Sequence, residues 1–201
     1  MESTIESIGS EKRLKLCVLG NTAVGKTSLI NRFLSENYQV DNERTVEEQY
    51  NKNIKLKGED CVLQITDTGG LEEYQKSLDI WINSSEGFLL VYSINEKESF
   101  EGVKLRYEKI VKYKKQKKFS VIIVGTKCDL EEERVIKKED VNDFCTENDL
   151  ESFEISTLKD NNNDNENNKI EEIFLDIAGK IYKNKFVLKP KEPEGNCCRF
   201  C

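Results

Sequence analysis

The stretch GNTAVGKT, residues 20–27, carries the first recognisable chemistry in the chain. Gly20 and Gly25 bracket Asn21, Thr22, Ala23 and Val24, and Lys26, Thr27 and Ser28 follow. An apolar run precedes the loop and a helical pattern follows it, the context in which G-x-x-x-x-G-K-[ST] binds phosphate. Glycines let such a backbone wrap a polyphosphate so that its N–H groups point inward, and the next helix adds the positive end of its dipole. Lys26 then supplies a point charge to the outer phosphates, and the Thr27 hydroxyl is placed to coordinate Mg²⁺. A chance glycine-rich turn is the plain alternative, but strand, loop and helix all agree.

TDTGGLEEY, residues 66–74, offers a second set of groups. Asp67 ends an apolar strand and can hold magnesium through water, as the acidic residue of such sites does. Gly70 can bring its N–H against a terminal phosphate where a side chain would obstruct. Leu71, apolar among acids, has no evident place in such a turn. The third set is TKCDL, in which Asp129 sits just beyond the end of a further strand. Guanine presents two adjacent donors, N1–H and its amine, and one carboxylate accepts both. Adenine offers an acceptor at N1, which a carboxylate repels, so selectivity is built in as a mismatch. The stem of Lys127 can cover the base plane.

These residues need elements to hold them. LKLCVLG (14–20) reads as a buried strand. Residues 26–38 show apolar positions 29, 30, 33 and 34 at helical spacing. Segments 47–56 and 60–67 flank a turn and read as a hairpin, while GFLLVYSI and FSVIIVGT are apolar enough to be central strands covered on both faces. Helical patterns lie at about 72–84, 97–116 and 137–146, ESFEIS is a sixth strand, and IEEIFLDIAGKIY places Ile170, Ile173, Phe174, Ile177 and Ile181 on one helix face. Strands alternating with helices predict an α/β fold: a six-stranded, mostly parallel sheet with helices on both faces and ligands beyond the carboxyl ends of the strands. DNNNDNENN (160–168) reads as a polar loop before the last helix, and VKYKKQKK (111–118) as a solvated helix end.

The 201 residues suit one domain. Apolar residues make up 37% and charged residues 34%, and the net charge of −7 argues against nucleic-acid binding. No run of about 18 apolar residues is present, and the N-terminal segment lacks a signal-type apolar region, so cytosolic placement is expected. With no histidine and no CxxC pair, most zinc sites and every histidine-based triad are excluded. Cys17, Cys61, Cys128 and Cys145 read as buried or half-buried thiols.

With the three sets of groups in this order, the chain resembles the Ras superfamily of small GTPases, and within it the Ras subfamily most. The resemblance covers residues 13–183. It implies a phosphate-loop NTPase domain of the small G-protein type, a monomeric switch that binds GTP and GDP with Mg²⁺ and hydrolyses GTP. By position it implies that the backbone of 20–28 with Lys26 binds the phosphates. Thr27, Thr45 and Asp67 serve the metal, and Thr45 and Gly70 contact the γ-phosphate. Thr126, Lys127 and Asp129 then match the guanine motif, Ser156 and Thr157 give backbone contacts to the base, and Tyr38 packs edge-on against it. Glu47, Glu48, Gln49 and Tyr50 match the segment that adds to the sheet of an effector with a Ras-binding domain. An exchange factor and a GTPase-activating protein are implied as regulators.

Leu71 stands where this family usually has the glutamine that orients the attacking water, and Thr22 stands where a glycine is common. Slow hydrolysis is therefore expected, and a GTP-loaded effector-binding module with negligible turnover is the alternative. Arg44, Thr126 and Leu158 are lesser departures. The terminal NCCRFC has the C-a-a-X form at Cys198, with Cys197 as a second acylation position, which implies prenylation and anchoring at the cytoplasmic face of a membrane, the plasma membrane first. The paired cysteines also resemble tails of the trafficking (Rab-like) branch. The expected layout is a polar tail at 1–12, the GTPase domain at 13–183 and a flexible tail at 184–201.

Overall fold

A computed structural model describes residues 11–34, 47–68, 75–115, 117–158 and 164–187. The elements follow in the order β1 Lys12–Gly20, α1 Lys26–Leu34, β2 Glu47–Leu56, β3 Glu59–Thr68, α2 Gln75–Ser84 and β4 Gly87–Ser93. After these come α3 Lys97–Lys114, β5 Ser120–Thr126, α4 Lys138–Asn148, β6 Glu151–Glu154 and α5 Asp164–Tyr182. The six strands form one sheet in the order β2-β3-β1-β4-β5-β6. Only the β2–β3 hairpin is antiparallel.

Because β1 pairs with β3 on one side and β4 on the other, the chain leaves β1 in opposite directions. A loop at such a divide opens beyond the strand ends, where ligands of this architecture sit. Every residue of β4 and β5 is buried, as unbroken apolar runs require. One core layer lies under α1 and α5, where Phe33 and Phe174 stack with ring centroids 4.0 Å apart. The other lies under α2, α3 and α4, around Phe88, Tyr92 and Phe100.

Four expectations need correction. The Asn-rich segment is not a loop to residue 168, because α5 starts at Asp164 and so takes in its last five residues. The flexible tail does not begin at 184. A π-helical turn, Lys183–Val187, docks on the sheet, where Asn184 Nδ2 donates to Ser120 Oγ (3.1 Å) and Lys185 Nζ to Arg13 O (2.7 Å). The N-terminal tail gives way to β1 at Lys12, whose ammonium donates to Tyr182 Oη and Glu59.

The basic run is not wholly solvated either. Lys114 is 5% exposed, and its ammonium donates to Ser85 O (2.5 Å) and Asn83 O (3.2 Å) where α2 runs out of partners. Burial holds its pKa below the usual lysine value. Lys114→Met keeps the apolar stem and strips two carbonyls of this donor, that of Ser85 being buried. It is expected to cost about 1–3 kcal/mol and lower the melting temperature by about 3–10 °C, read by calorimetry.

Candidate functional site

The loop after β1 is shaped by two glycines with different tasks. A Cβ on Gly20 would lie 2.3 Å from Val91 O, so this glycine admits the neighbouring strand β4, not the ligand. Gly25 takes φ +93°, which side chains rarely adopt. Ala23 also has positive φ, 61°, and carries its Cβ at a cost of about 1–2 kcal/mol. The loop is thus held in a conformation its sequence does not favour locally, as backbones at binding sites often are.

Lys26 opens α1 yet is 5% exposed, and its Nζ donates to Asn21 O (2.7 Å). Burial lowers its pKa to about 8; Asp67 opposes the shift and Arg106 adds to it. Next to it, Thr27 Oγ1 donates to Asp67 Oδ2 (2.6 Å). Asp67 is fully buried at the end of β3, and burial pushes its carboxyl up to about 6. Its Oδ1 has no hydrogen-bond partner among the described residues. An orphaned buried carboxylate oxygen beside a hydroxyl fits a hard cation that completes its shell with water and phosphate oxygens. Among the described residues no cluster of three or more acidic, cysteine or histidine side chains is placed to hold a metal ion.

The second half of the site lies beyond β5 and β6, on the same edge of the sheet. Lys127 adopts φ 60°, which turns the chain out of β5 into a short 3-10 turn, Cys128–Glu133, that the hydrophobic pattern does not foretell. Asp129 is exposed there, and its Oδ1 accepts from Ser156 Oγ (2.5 Å). Cys128 N–H donates to Ile155 O (3.3 Å), and Ile155 N–H to Gly125 O (2.9 Å), so the 128–133 and 155–158 segments form one unit. Thr157 is half-buried and Leu158 is 62% exposed.

Thr126 ends β5, just before Lys127 and Asp129. Its side chain is fully buried and donates between Val24 O (2.5 Å) and Tyr92 O (2.9 Å), so it ties the phosphate loop to the sheet. Thr126→Val preserves the shape and leaves both carbonyls without this donor, at a cost of about 1–3 kcal/mol. Nucleotide release about tenfold faster is expected, read by the displacement of a fluorescent nucleotide.

Two contributors escaped the sequence reading. Glu166, inside the Asn-rich segment, accepts the Ser156 N–H (3.2 Å) and so braces the base side of the site. Arg134 forks onto Glu154 (2.8 and 2.7 Å) and Glu131 (2.9 and 2.7 Å) just behind the 3-10 turn. An arginine with carboxylates three positions before it and twenty after it was the faint signal for the latter; nothing in composition pointed to Glu166.

Tyr38, Thr45, Gly70 and Leu71 lie outside the described residues, as do Cys197 and Cys198. Glu48, Gln49 and Tyr50 lie on β2, the outermost strand, whose second edge carries no partner strand among the described residues. Glu48 and Gln49 are exposed, and the Tyr50 hydroxyl donates to Glu48. Cys17, Cys61 and Cys145 are buried, Cys128 is half-buried, and none of the four is in a disulfide, as expected.

A phosphate loop at the divide of the sheet, a hydroxyl–carboxylate pair beside its lysine and an exposed aspartate beyond β5 define a nucleotide-binding domain of the small G-protein class. The model of the Ras family matches residues 15–183, and the chain belongs to that family. It is a small GTPase, a guanine-nucleotide-binding switch of a family whose members bind GTP and GDP with Mg²⁺.

Proposed function

We propose that this chain is a Ras-subfamily signalling switch that hydrolyses GTP slowly and so rests largely in its GTP state. The observation that carries the site assignment is the convergence of Lys26, Thr27 and the buried, orphaned Asp67 oxygen at one end of the sheet edge. The Asp129–Ser156 pair stands at the other end of the same edge. Lys26 and the loop N–H groups hold the phosphates, Thr27 and Asp67 with Thr45 serve the magnesium, and Asp129 accepts the two donors of guanine. Bound magnesium neutralises charge on the phosphate oxygens. Thr45 and Gly70 hold the two switch segments to the γ-phosphate, and losing that phosphate releases them.

Leu71 supports the slow timer, since a leucine side chain has no donor or acceptor to orient water. Thr22 adds bulk where a partner's arginine would enter, a contribution worth about 10³–10⁵ in rate in this family. The residues EEQY at 47–50, which begin the edge strand β2, support effectors that pair along it. Lipid on Cys198, with Cys197 as a second position, would hold the protein at the cytoplasmic face of the plasma membrane.

The paired cysteines favour one rival reading, a trafficking-type GTPase. A pull-down with a Ras-binding domain separates the two, because only the signalling reading predicts GTP-dependent capture. The slow timer is tested by the nucleotide extracted from freshly purified protein and by single-turnover decay of loaded GTP. Mostly GTP, decaying far more slowly than in glutamine-bearing relatives, is expected; mostly GDP with ordinary decay overturns it.

A further inference from the structure

Arg106 lies on α3, outside every motif of the family, yet it reaches the phosphate loop. Its Nη1 donates to Asn21 Oδ1 (2.8 Å), 85 positions earlier in the chain. The other end of the same amide is also fixed, since Asn21 Nδ2 donates to Glu98 O in the first turn of α3 (3.2 Å). With its side chain held at both ends, Asn21 presents its own carbonyl to Lys26 Nζ (2.7 Å). One helix thus fixes the loop, and the loop fixes the lysine.

Gly102 makes the contact possible. A Cβ there would lie 2.4 Å from Asn21 Oδ1 and 2.6 Å from Arg106 Nη1. Glycine is a poor choice within a helix, so its presence one turn before Arg106 marks close approach as a requirement of this face. The guanidinium is also near enough to Lys26 for its charge to be felt there. Asp67 offsets part of the repulsion between the two cations at Lys26, and a polyphosphate in the loop would offset the rest.

We propose that Arg106 is a positioning residue for the nucleotide, acting through Asn21 to hold the phosphate loop and Lys26 in their binding geometry and adding fixed positive charge behind the outer phosphates. The inference rests on the family's nucleotide site and deepens it. The extra charge acts most on the more highly charged ligand, so Arg106 favours the triphosphate over the diphosphate. This bias is of use to a protein that works in its GTP state.

The test measures release of fluorescent GDP and of a fluorescent non-hydrolysable GTP analogue from the full chain, in magnesium, at two salt concentrations. Arg106→Gln is expected to speed release of the triphosphate about tenfold, as loss of a charge-assisted hydrogen bond does, and release of GDP by less. Arg106→Lys keeps the charge and is expected to hold the triphosphate-to-diphosphate ratio within about twofold of wild type. In GDP release, where the positioning role dominates, Asn21→Ala should match Arg106→Gln and the double variant should be no faster than either alone; because Asn21→Ala keeps the charge, it should leave the triphosphate-to-diphosphate ratio within about twofold of wild type. Gly102→Ala, which leaves the arginine in place but displaces the contact, should accelerate release as well.

Wild-type rates in Arg106→Gln would overturn the proposal. So would equal acceleration for both nucleotides with a lower melting temperature, or additive effects of Arg106→Gln and Asn21→Ala on GDP release. If the wild-type chain itself held neither nucleotide, the family's site assignment would fall, a result distinct from any of these.

Discussion

Asp129→Asn is expected to weaken GDP and GTP binding by about 10²–10⁴-fold. Asp129 stands exposed beyond β5 with only Ser156 on one of its oxygens, which leaves acceptor capacity for the N1–H and amine of guanine. Two hydrogen bonds to a charged acceptor contribute about 1.5–3 kcal/mol each, and that range sets the expected loss. Asparagine retains one acceptor and turns the other into a donor, which faces the guanine amine. Xanthine has a carbonyl where guanine has that amine, so the same substitution should bring xanthosine diphosphate up while guanosine diphosphate falls. Competition of the two against a fluorescent nucleotide reads both directions at once. Equal weakening of both would mean that Asp129 acts on the loop and not on the base.

Leu71→Gln is expected to raise single-turnover GTP hydrolysis by about 10–10²-fold, the range typical of one positioned polar group at a reacting water. Nucleotide affinity should change little, because the substitution leaves the phosphate loop, the Thr27–Asp67 pair and the base side untouched. A rise in rate without a change in release separates a slow timer from a weakened site. If the rate stays put, either another group already positions the water or Thr22 limits the reaction. Thr22→Gly in the Leu71→Gln background distinguishes them, and a further rise only with added activating protein would identify Thr22 as the obstacle to a partner's arginine.

The parts of the site that could be read from the sequence are those whose chemistry is carried by local spacing. The 20–27 loop, Asp67 at the end of one strand and Asp129 at the end of another each stand beside the element that aims them, so pattern and position agreed. Central strands were legible for a related reason: β4 and β5 are buried on both faces and therefore apolar along their middles, with the polar Ser93, Ser120 and Thr126 at their ends. What was not legible depends on contacts between distant segments. The contribution of Gly20 is set by Val91 O across the sheet, and that of Thr126 by Val24 O, 102 positions away.

Lys114 looked like any lysine in a basic run, because its burial is dictated by carbonyls at the end of α2. Glu166 was hidden in a stretch whose composition argues for a loop. There the hydrogen bond to Ser156 N–H and the packing of the rest of α5 outweigh poor local propensity. Arg106 was invisible for the same reason, its partner being a loop residue brought near by the fold.

Titration of nucleotide-stripped protein with guanosine and adenosine phosphates is the most direct test of the assignment. Isothermal calorimetry in magnesium should show tight association with GDP and GTP. A preference over ADP and ATP of about 10⁴ or more is expected, as sites built around hydrogen bonds to one ligand achieve. Equal affinity for the two purines, or no tight association with either guanine nucleotide, would contradict it.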